Sequence, residues 1–403
     1  MHRKHIFRSF TAAMLLAAVG AFIASCDKTP EGSVEVSIKA ISTTDKSGSQ
    51  FVSVTASGDW TLEVTTDAEG DEVGWAWFNE WGSDENVVTL SGSGDNNTIL
   101  LYWAKNLSEN DRVCTLTLTS AGKTANCTFT QSRTTSKNSV ADDIVSESVP
   151  AWMELPATDD ADGMYFITHD MVIAGNLQRN YSFYWDKDAL VAHWVAYPLN
   201  SGTISSGSRT NAWGLDPKVP VAYQPVLFSG FSWGYQRGHQ CPSADRLASG
   251  ANETTFYGTN MTPQKGELNE KAWAVLEGMV RDWSRSFDTL YVVTGCDLRG
   301  STDVATDNSG KEVKVPSGYY KALLGYKKNG TVANTGRTGG YSGCAFYFEH
   351  RSYSNDRASV LGQSMSIENL EKKMDMDFFV NLPNAIGETN AKVAESTVDS
   401  FWK

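Results

Sequence analysis

The chain has 403 residues, 41% of them hydrophobic and 20% charged, and its formal net charge at pH 7 is −13. This length is sufficient for two globular domains, each with its own core. The acidic balance argues against non-specific adhesion to nucleic acid through a basic face. The cysteines and histidines lack the spacing of a structural zinc site, which argues against that class of domain as well.

Residues 1–25 are typical of an export signal and not of a folded element. Basic residues crowd the first eight positions, and the apolar run from Phe10 to Ile23 is too short to span a bilayer well. The sequence Ile23-Ala24-Ser25-Cys26 resembles a bacterial lipobox, which implies lipidation of Cys26. An ordinary secretory peptide with a chance cysteine is the alternative. We therefore expect an exported lipoprotein, anchored by acyl chains at the outer membrane, on the cell surface or facing the periplasm.

Residues 34–132 are predicted to form an all-β sandwich of short strands. Apolar and polar side chains alternate in Val52 to Ala56 and in Cys114 to Thr119, and clusters of Gly, Asp, Asn and Ser separate such runs. About a hundred residues in this pattern are typical of two packed antiparallel sheets.

The cysteines beyond Cys26 are consistent with an oxidising compartment but do not define a disulfide framework. Cys114 and Cys127 lie on two β-like runs around the turn at 120–123, so a bridge between these strands is possible. The sequence leaves the pairing of the other three open, and these are Cys241, Cys296 and Cys344.

The 34–132 region resembles a BACON domain, an immunoglobulin-like module of bacterial surface proteins. The residues that carry this resemblance are Gly58-Asp59-Trp60, Trp75-Ala76-Trp77, Asn106 with Arg112, and Phe129 to Ser132. The resemblance implies an immunoglobulin-like sandwich that contacts glycans, with Trp75, Trp77 and Trp81 stacking on sugars. The alternative, which we favour, is that these tryptophans fill the core and the domain is a spacer.

Residues 133–149 are predicted to be a linker, because they are rich in Ser, Thr, Lys and Asp and nearly free of large apolar side chains. Residues 150–403 are predicted to form a second, α+β domain, since strands and helices mix there without a regular βαβ repeat. The predicted strands are Tyr165–His169, Ala192–Leu199, Thr289–Thr294 and Cys344–Phe348, and the predicted helices are Leu268–Trp283 and Ser364–Met376.

The stretch from Tyr235 to Glu277 carries most of the chemistry. Arg237-Gly238-His239 combines a cation, a glycine that permits close approach and an imidazole that titrates near neutral pH. Asn269 is followed at four-residue spacing by Trp273 and Glu277, so a helix would present an amide and a carboxylate on one side.

This stretch resembles the DNA/RNA non-specific endonucleases, a family with a ββα-metal core. The family's Asp-Arg-Gly-His motif corresponds to Gln236 to His239, and its Asn-Met-Thr-Pro-Gln block to Asn260 to Gln264. The helical block that follows corresponds to Leu268 to Glu277. The chain departs from the family at Gln236, where an aspartate is usual, and this departure concerns the support of the metal site.

The resemblance implies a metal-dependent phosphodiesterase that acts on DNA and RNA. His239 would be the general base, Asn269 the direct ligand of Mg²⁺ with Mn²⁺ as a substitute cation, and Glu277 the group that holds water around the cation. Asn260 would orient His239 through a hydrogen bond. Three arginines would contact phosphate, and these are Arg209, Arg237 and Arg246. The alternatives are that Arg246 pairs with a nearby carboxylate and that Arg209 is a solvated loop residue. Since the whole chain is acidic, the site depends on such local cations.

Two other interpretations compete with the nuclease. The sequence Gly230-Phe231-Ser232-Trp233-Gly234 fits the nucleophile elbow of serine hydrolases, which needs a buried strand before it and a helix after it. The second interpretation is a surface glycan-binding or adhesion lipoprotein with an inactive nuclease fold. The remaining histidines of the second domain are expected to be structural, namely His169, His193 and His350.

Overall fold

A computed structural model describes residues 25–26, 34–38, 44–67, 74–79, 86–134, 141, 143–159, 161–173, 175–204, 207–248, 250–328 and 336–403. The predicted signal segment up to Ala24 lies outside these ranges. Within them, no helix combines the length and the apolar character that crossing a membrane requires.

The N-terminal part consists of antiparallel strands in two sheets. The strands are β1 (Ser25–Cys26), β2 (Glu35–Ile38), β3 (Gly48–Thr55), β4 (Asp59–Thr66), β5 (Ala76–Asn79), β6 (Asn86–Val87), β7 (Thr89–Ser93), β8 (Asn96–Trp103), β9 (Arg112–Ser120) and β10 (Lys123–Gln131). One sheet has the order β1-β10-β9-β4-β7 and the other β2-β3-β8-β5-β6. The runs predicted at 52–56 and 114–119 lie in β3 and β9.

The alternating pattern of these strands buries one side of each sheet in a shared core. Leu62, Leu101, Leu116 and Leu118 are all inaccessible to solvent. Trp75 and Trp77 are also completely buried, so the prediction that they stack on sugars is wrong, while Trp81 lies outside the described residues. The tryptophans fill the core, as in the interpretation we favoured. The BACON assignment itself stays a prediction.

Cys114 and Cys127 lie on neighbouring strands but not opposite each other. Cys114 faces Phe129 and Cys127 faces Leu116 in the register of β9 and β10. Both are buried thiols, as are Cys241, Cys296 and Cys344. Burial raises the pKa of the Cys241 thiol to about 12, which makes it an unreactive side chain.

The C-terminal part is built on one antiparallel sheet with the order β11-β12-β13-β16-β19-β20-β21. Its elements are β11 (Met164–Ile173), β12 (Asn176–Asp186), β13 (Val191–Leu199), β14 (Tyr235–His239), β15 (Met261–Lys265), a π-helical turn (Leu268–Trp273), α1 (Ala274–Ser284), β16 (Thr289–Asp297), β17 (Val304–Thr306), β18 (Glu312–Lys314), β19 (Gly318–Tyr326), β20 (Tyr341–Glu349), α2 (Arg357–Leu361), β21 (Ser364–Met365), α3 (Ile367–Met374), α4 (Leu382–Ile386) and α5 (Glu388–Ser396).

Both faces of this sheet are covered, and its central strands β13 and β16 are accordingly buried along most of their length. In β13, Trp194 and Ala196 pack into the core formed with α3 and α5, whereas Val195 and Tyr197 pack into the core formed with α1. The four strands predicted in this region lie within β11, β13, β16 and β20. The helix predicted at Ser364–Met376 is shorter, because Ser366 caps α3 by accepting a hydrogen bond from the Asn369 amide at 3.2 Å.

The segment predicted to be a linker lies against the C-terminal part where the structure describes it. The Glu147 amide donates to the Phe166 carbonyl at 2.8 Å, and Lys218 Nζ lies 2.7 Å from Glu147 Oε1. Ile144 is buried. Residues 143–149 therefore form an edge of the second domain, although their polar composition is typical of a linker.

Candidate active site

The central motif folds as two paired strands followed by a helix. β14 and β15 are antiparallel, with Gly238 opposite Thr262 and His239 opposite Met261. Only a glycine fits at position 238, because a Cβ atom there would lie 2.5 Å from Gln264 Oε1 and 2.7 Å from Gln264 Cβ. This close approach brings the histidine strand against β15 and towards the start of the helix.

The helix begins with a π-helical turn, which the sequence analysis did not predict. Leu268 to Trp273 form this turn, and Lys271 has φ −113° and ψ −106°, which lie outside the helical region. In an α-helix, about 100° per residue would leave Asn269 and Glu277 some 80° apart around the axis. A turn that absorbs one extra residue reduces this offset to about 20°, and π turns are frequent at functional sites.

The His239 ring lies between two aromatic rings, with centroids 5.7 Å from Trp213 and 5.4 Å from Phe256. The backbone carbonyl of Arg237 hydrogen-bonds the ring. The Nε2 atom is buried, and no group in the described part of the chain hydrogen-bonds it. The arrangement therefore holds the proton on Nδ1 and leaves the Nε2 lone pair available as an acceptor.

Burial lowers the pKa of His239 well below its usual value, and the positive charges of Arg209 and Arg237 lower it further. A lowered pKa keeps the imidazole neutral at pH 7, which is the form that accepts a proton. Arg209 is exposed, and its Nε donates to Asn211 Oδ1 at 2.7 Å. Its guanidinium lies over the Phe256 ring at 4.9 Å, on the same ring that packs against His239.

Asn269 is oriented by the residue that departs from the family motif. Its Nδ2 donates to Gln236 Oε1 at 2.9 Å, and Gln236 Nε2 in turn donates to Glu270 Oε1. This pair fixes the orientation of the Asn269 amide, so its Oδ1 points away from Gln236. An amide oxygen is a ligand that hard divalent cations accept.

Glu277 lies in a partly buried environment that contains charges of both signs. Burial raises the pKa of Glu277 to about 7, Asp245 raises it as well, and the cations Lys321 and Arg281 oppose this change. Lys321 is completely buried beneath the site, where its Nζ donates to Thr294 Oγ1 at 2.6 Å. Arg281 pairs with Asp245 at 3.0 Å.

Two of the predicted site residues have structural roles instead. Asn260 was expected to orient His239, but its Oδ1 accepts from the Cys241 amide and its Nδ2 donates to the Cys241 and Thr255 carbonyls. It fixes the loop behind the histidine. Arg246 was expected to contact substrate, but it is completely buried and donates to the carbonyls of Asn180 and Pro198. Both side chains are thus buried and hydrogen-bonded to main-chain atoms.

Arg237 is largely engaged in holding the chain around the site. Its Nη1 donates to the Leu227 and Phe228 carbonyls at 2.9 and 3.2 Å, and its guanidinium lies 3.5 Å from the centroid of the Trp213 ring. It remains close enough to His239 to lower the pKa of that ring. The predicted phosphate contact of Arg237 stays a prediction.

The serine hydrolase interpretation is wrong. Gly230 to Gly234 form a turn that leads into β14, with neither a strand before it nor a helix after it. Ser232 Oγ accepts a hydrogen bond from the Thr306 amide at 2.7 Å. His350, the histidine downstream of His239, binds the Lys265 amide through Nε2 and the Pro316 carbonyl through Nδ1, and is structural as expected.

The donor set fits a hard divalent cation that keeps most of its water. In the described part of the chain, no group of three or more His, Cys, Asp or Glu side chains could hold a metal. The Asn269 amide, with its Nδ2 bound to Gln236, and the nearby Glu277 carboxyl supply oxygens of the type that Mg²⁺ prefers. In the described part of the chain, the buried Nε2 of His239 has no hydrogen-bond partner, so it is available to a water molecule or a substrate atom.

The sequence analysis missed Arg281, Lys321 and Trp213. Arg281 could have been found, since it continues the four-residue spacing of Asn269, Trp273 and Glu277 on the helix. The other two come close to the site only through the fold: Lys321 from β19 and Trp213 from the loop after β13.

The site thus combines a histidine on one of two paired strands with a helix that carries an amide and a carboxylate. Residues 171–385 match the family model of the DNA/RNA non-specific endonucleases, which is slightly more than half of the chain. The chain therefore belongs to the DNA/RNA non-specific endonuclease family.

Individual relatives are also similar. A nuclease of Serratia marcescens is 28% identical over 201 residues, which are 48% of this chain and 71% of that protein. A nuclease of Syncephalastrum racemosum is 36% identical over 126 residues, 30% of this chain and 39% of that protein. A nuclease of Nostoc is 33% identical over 123 residues, 30% of this chain and 44% of that protein. The chain thus spans less than half the length of the last two relatives.

Among solved structures, one of an EndoG/EndoGI complex aligns with 50% of this chain and 84% of the matched chain, with a TM-score of 0.40 and 22% identity.

Proposed function

We propose that this protein hydrolyses phosphodiester bonds of DNA and RNA with the aid of a divalent cation, Mg²⁺ or its substitute Mn²⁺. The observation that carries the proposal is the environment of the His239 ring, with Nδ1 held by the Arg237 backbone and a buried Nε2 that no described group hydrogen-bonds. This geometry suits a general base that removes a proton from an attacking water molecule. Family membership supports the same reaction.

The other residues of the site have roles that follow from their charge and position. Asn269, with its amide fixed by Gln236, would hold the cation, and Glu277 would bind water beside it. A bound divalent cation supplies Lewis-acid stabilisation of the charge that develops during phosphoryl transfer. Arg209 is exposed beside His239, where its guanidinium can contact a phosphate oxygen of the substrate.

We expect little base or sugar preference. The groups assembled here are a base, an amide, a carboxylate and arginines, all of which act on phosphate. Contacts to phosphate position a nucleic acid but carry no sequence information. Because the chain as a whole is acidic, we also expect binding to depend on these local cations and to weaken with salt.

The test is digestion of plasmid DNA and of RNA by the purified chain from residue 27, with Mg²⁺ and with EDTA. Cleavage should require the cation and should disappear in His239→Ala. His193→Ala is a matched control, since His193 is a partly buried histidine that pairs with Asp186 at 3.1 Å, and it should retain activity. Cleavage that persists in His239→Ala would exclude this histidine as the base. No cleavage with any divalent cation would favour an inactive nuclease fold in a binding protein.

We further propose that the protein is an exported lipoprotein with Cys26 as its acylated residue. The lipobox-like sequence before Cys26 supports this proposal. In a bacterial host, the full chain should incorporate a labelled fatty acid, and Cys26→Ser should not. Equal labelling of both forms would exclude Cys26 as the lipidation site.

A further inference from the structure

The N-terminal sheets contact the nuclease domain at a short segment close to the candidate active site. We call residues 226–230 the 226–230 loop. The Phe228 ring stacks on the Trp77 ring of β5, with centroids 6.0 Å apart and ring planes 16° from parallel. Trp77 also stacks on Tyr102 of β8, with centroids 6.4 Å apart and ring planes 8° from parallel. Trp77 thus connects an aromatic ring of the N-terminal sheets with an aromatic ring of the nuclease domain.

A hydrogen bond accompanies this stack. Asn86 at the start of β6 is 7% exposed, and its Nδ2 donates to the Phe228 carbonyl oxygen. The same oxygen accepts a hydrogen bond from Arg237 Nη1 at 3.2 Å. One carbonyl of the 226–230 loop is therefore shared between the N-terminal sheets and the Arg-Gly-His strand.

The chain of contacts continues to the base. The guanidinium of Arg237 lies 3.5 Å from the centroid of the Trp213 ring, and that ring packs against His239. The carbonyl of Arg237 also holds the His239 ring. A displacement of the 226–230 loop would thus move two of the groups that position the imidazole.

The opposite side of the 226–230 loop is fixed within the nuclease domain. The Val226 amide donates to Asp307 Oδ2, and the Ser229 amide donates to Asn308 Oδ1, both at 2.7 Å. Phe228 lies between these two attachment points. The positions of its side chain and its carbonyl therefore depend on their contacts with Trp77 and Asn86.

We propose that Asn86 and Trp77 are positioning residues for the nuclease site, and that the N-terminal sheets act as part of the catalytic domain and not as a spacer. This inference rests on the proposed nuclease function. It predicts that removal of the Asn86 donor lowers kcat about 10-fold while KM changes little, because Arg237 and His239 are displaced but the exposed phosphate contacts remain.

The test compares Asn86→Ala and the isosteric Asn86→Asp with Asn106→Ala in the full chain. Asn106 is a matched control because it is a completely buried asparagine between β8 and β9, and its Nδ2 donates to the Asn110 and Ser132 carbonyls within the N-terminal part. Trp77→Leu is paired in the same way with Trp60→Leu, since Trp60 Nε1 donates to Gly94 within the sheets.

Two measurements are made on each variant: kcat and KM on plasmid DNA, and amide hydrogen exchange of residues 226–230 and 235–239. Both Asn86 variants should exchange faster in these segments and lose kcat, whereas Asn106→Ala should change only the N-terminal sheets. Equal effects of Asn86→Ala and Asn106→Ala on kcat and exchange would overturn the proposal. An inactive parent chain with the expected exchange pattern would exclude the nuclease function but support the coupling. An active parent chain whose Asn86 variants show unchanged exchange would support the nuclease function but exclude the coupling.

Discussion

Gln236 Oε1 accepts a hydrogen bond from Asn269 Nδ2 at 2.9 Å, so the residue that departs from the family motif supports the proposed cation ligand. Gln236 provides both an acceptor for Asn269 and a donor for Glu270. The glutamine therefore performs the orienting task without adding a negative charge.

Gln236→Ala should weaken cation binding, because the Asn269 amide would lose the group that fixes its orientation. Groups that hold a metal ligand typically contribute 10- to 100-fold to metal affinity or activity. We expect the Mg²⁺ concentration for half-maximal cleavage to rise about 10-fold or more, with a smaller change in the rate at saturating Mg²⁺. Gln178→Ala, which changes an exposed glutamine of β12, is the control. An unchanged Mg²⁺ dependence in Gln236→Ala would contradict the orienting role.

Glu277→Gln should stabilise the protein above pH 7. The pKa of Glu277 is raised from 4.5 to about 7, so between these values the folded state binds more protons than the unfolded state. Its ionisation therefore destabilises the fold as pH rises through this window, by roughly 3 kcal/mol at most, and this cost is absent below pH 4.5. Thermal unfolding of both forms at pH 4.5 and pH 8 should show a higher Tm for Glu277→Gln only at pH 8, together with reduced cleavage. A difference in Tm that is the same at both pH values would contradict this account.

Arg209→Ala should raise the pKa of His239, because a positive charge that disfavours the imidazolium is removed. NMR titration of the His239 ring should show a midpoint closer to 6.5 than in the parent chain, and the acidic limb of the pH–rate profile should move in the same direction. Arg351→Ala is the control, since Arg351 pairs with Glu349 on an exposed surface. A His239 titration unaffected by Arg209→Ala would place Arg209 outside the site.

Arg246→Ala should lower the stability of the protein instead of weakening substrate binding. The buried guanidinium donates to three main-chain carbonyls and to Asn180 Oδ1, and each acceptor left unpaired costs roughly 1–3 kcal/mol. We expect Tm to fall by about 10 °C, given that 1 kcal/mol corresponds to roughly 2–4 °C in a domain of this size. Arg209→Ala, at an exposed position, should leave Tm nearly unchanged. A Tm of Arg246→Ala close to that of the parent would contradict the buried role.

The regular elements of the second domain could be predicted because their pattern follows directly from burial. β13 and β16 are mostly apolar, since helices cover both faces of the sheet, and α1 shows the periodicity of a helix packed on one side. The helix from Leu268 to Trp283 could be predicted for the same reason. The π turn at its start could not, because no residue type marks a place where one extra residue is absorbed.

The roles of individual polar residues were harder to predict, since they depend on contacts between distant parts of the chain. Asn260 and Arg246 stand in the same motifs as His239 and carry suitable functional groups, but the fold turns both inward to satisfy main-chain atoms. Lys321 shows the opposite case. A lysine in the middle of an apolar strand gave no indication of function, and only the packing of β19 beneath α1 places it near Glu277.

The π turn also determines how this family member tolerates changes of length. If Lys271 were deleted, the helix could become a regular α-helix in which Asn269 and Glu277 are seven residues apart. Seven α-helical residues turn by about 700°, which leaves the same offset of about 20° that the π turn gives. If the turn instead became α-helical without losing a residue, Asn269 would rotate by about 100° relative to Glu277, although the sequence of the site would be unchanged. Loss of one residue here is therefore a milder change for the site than a substitution that converts the π turn into an α-helical turn.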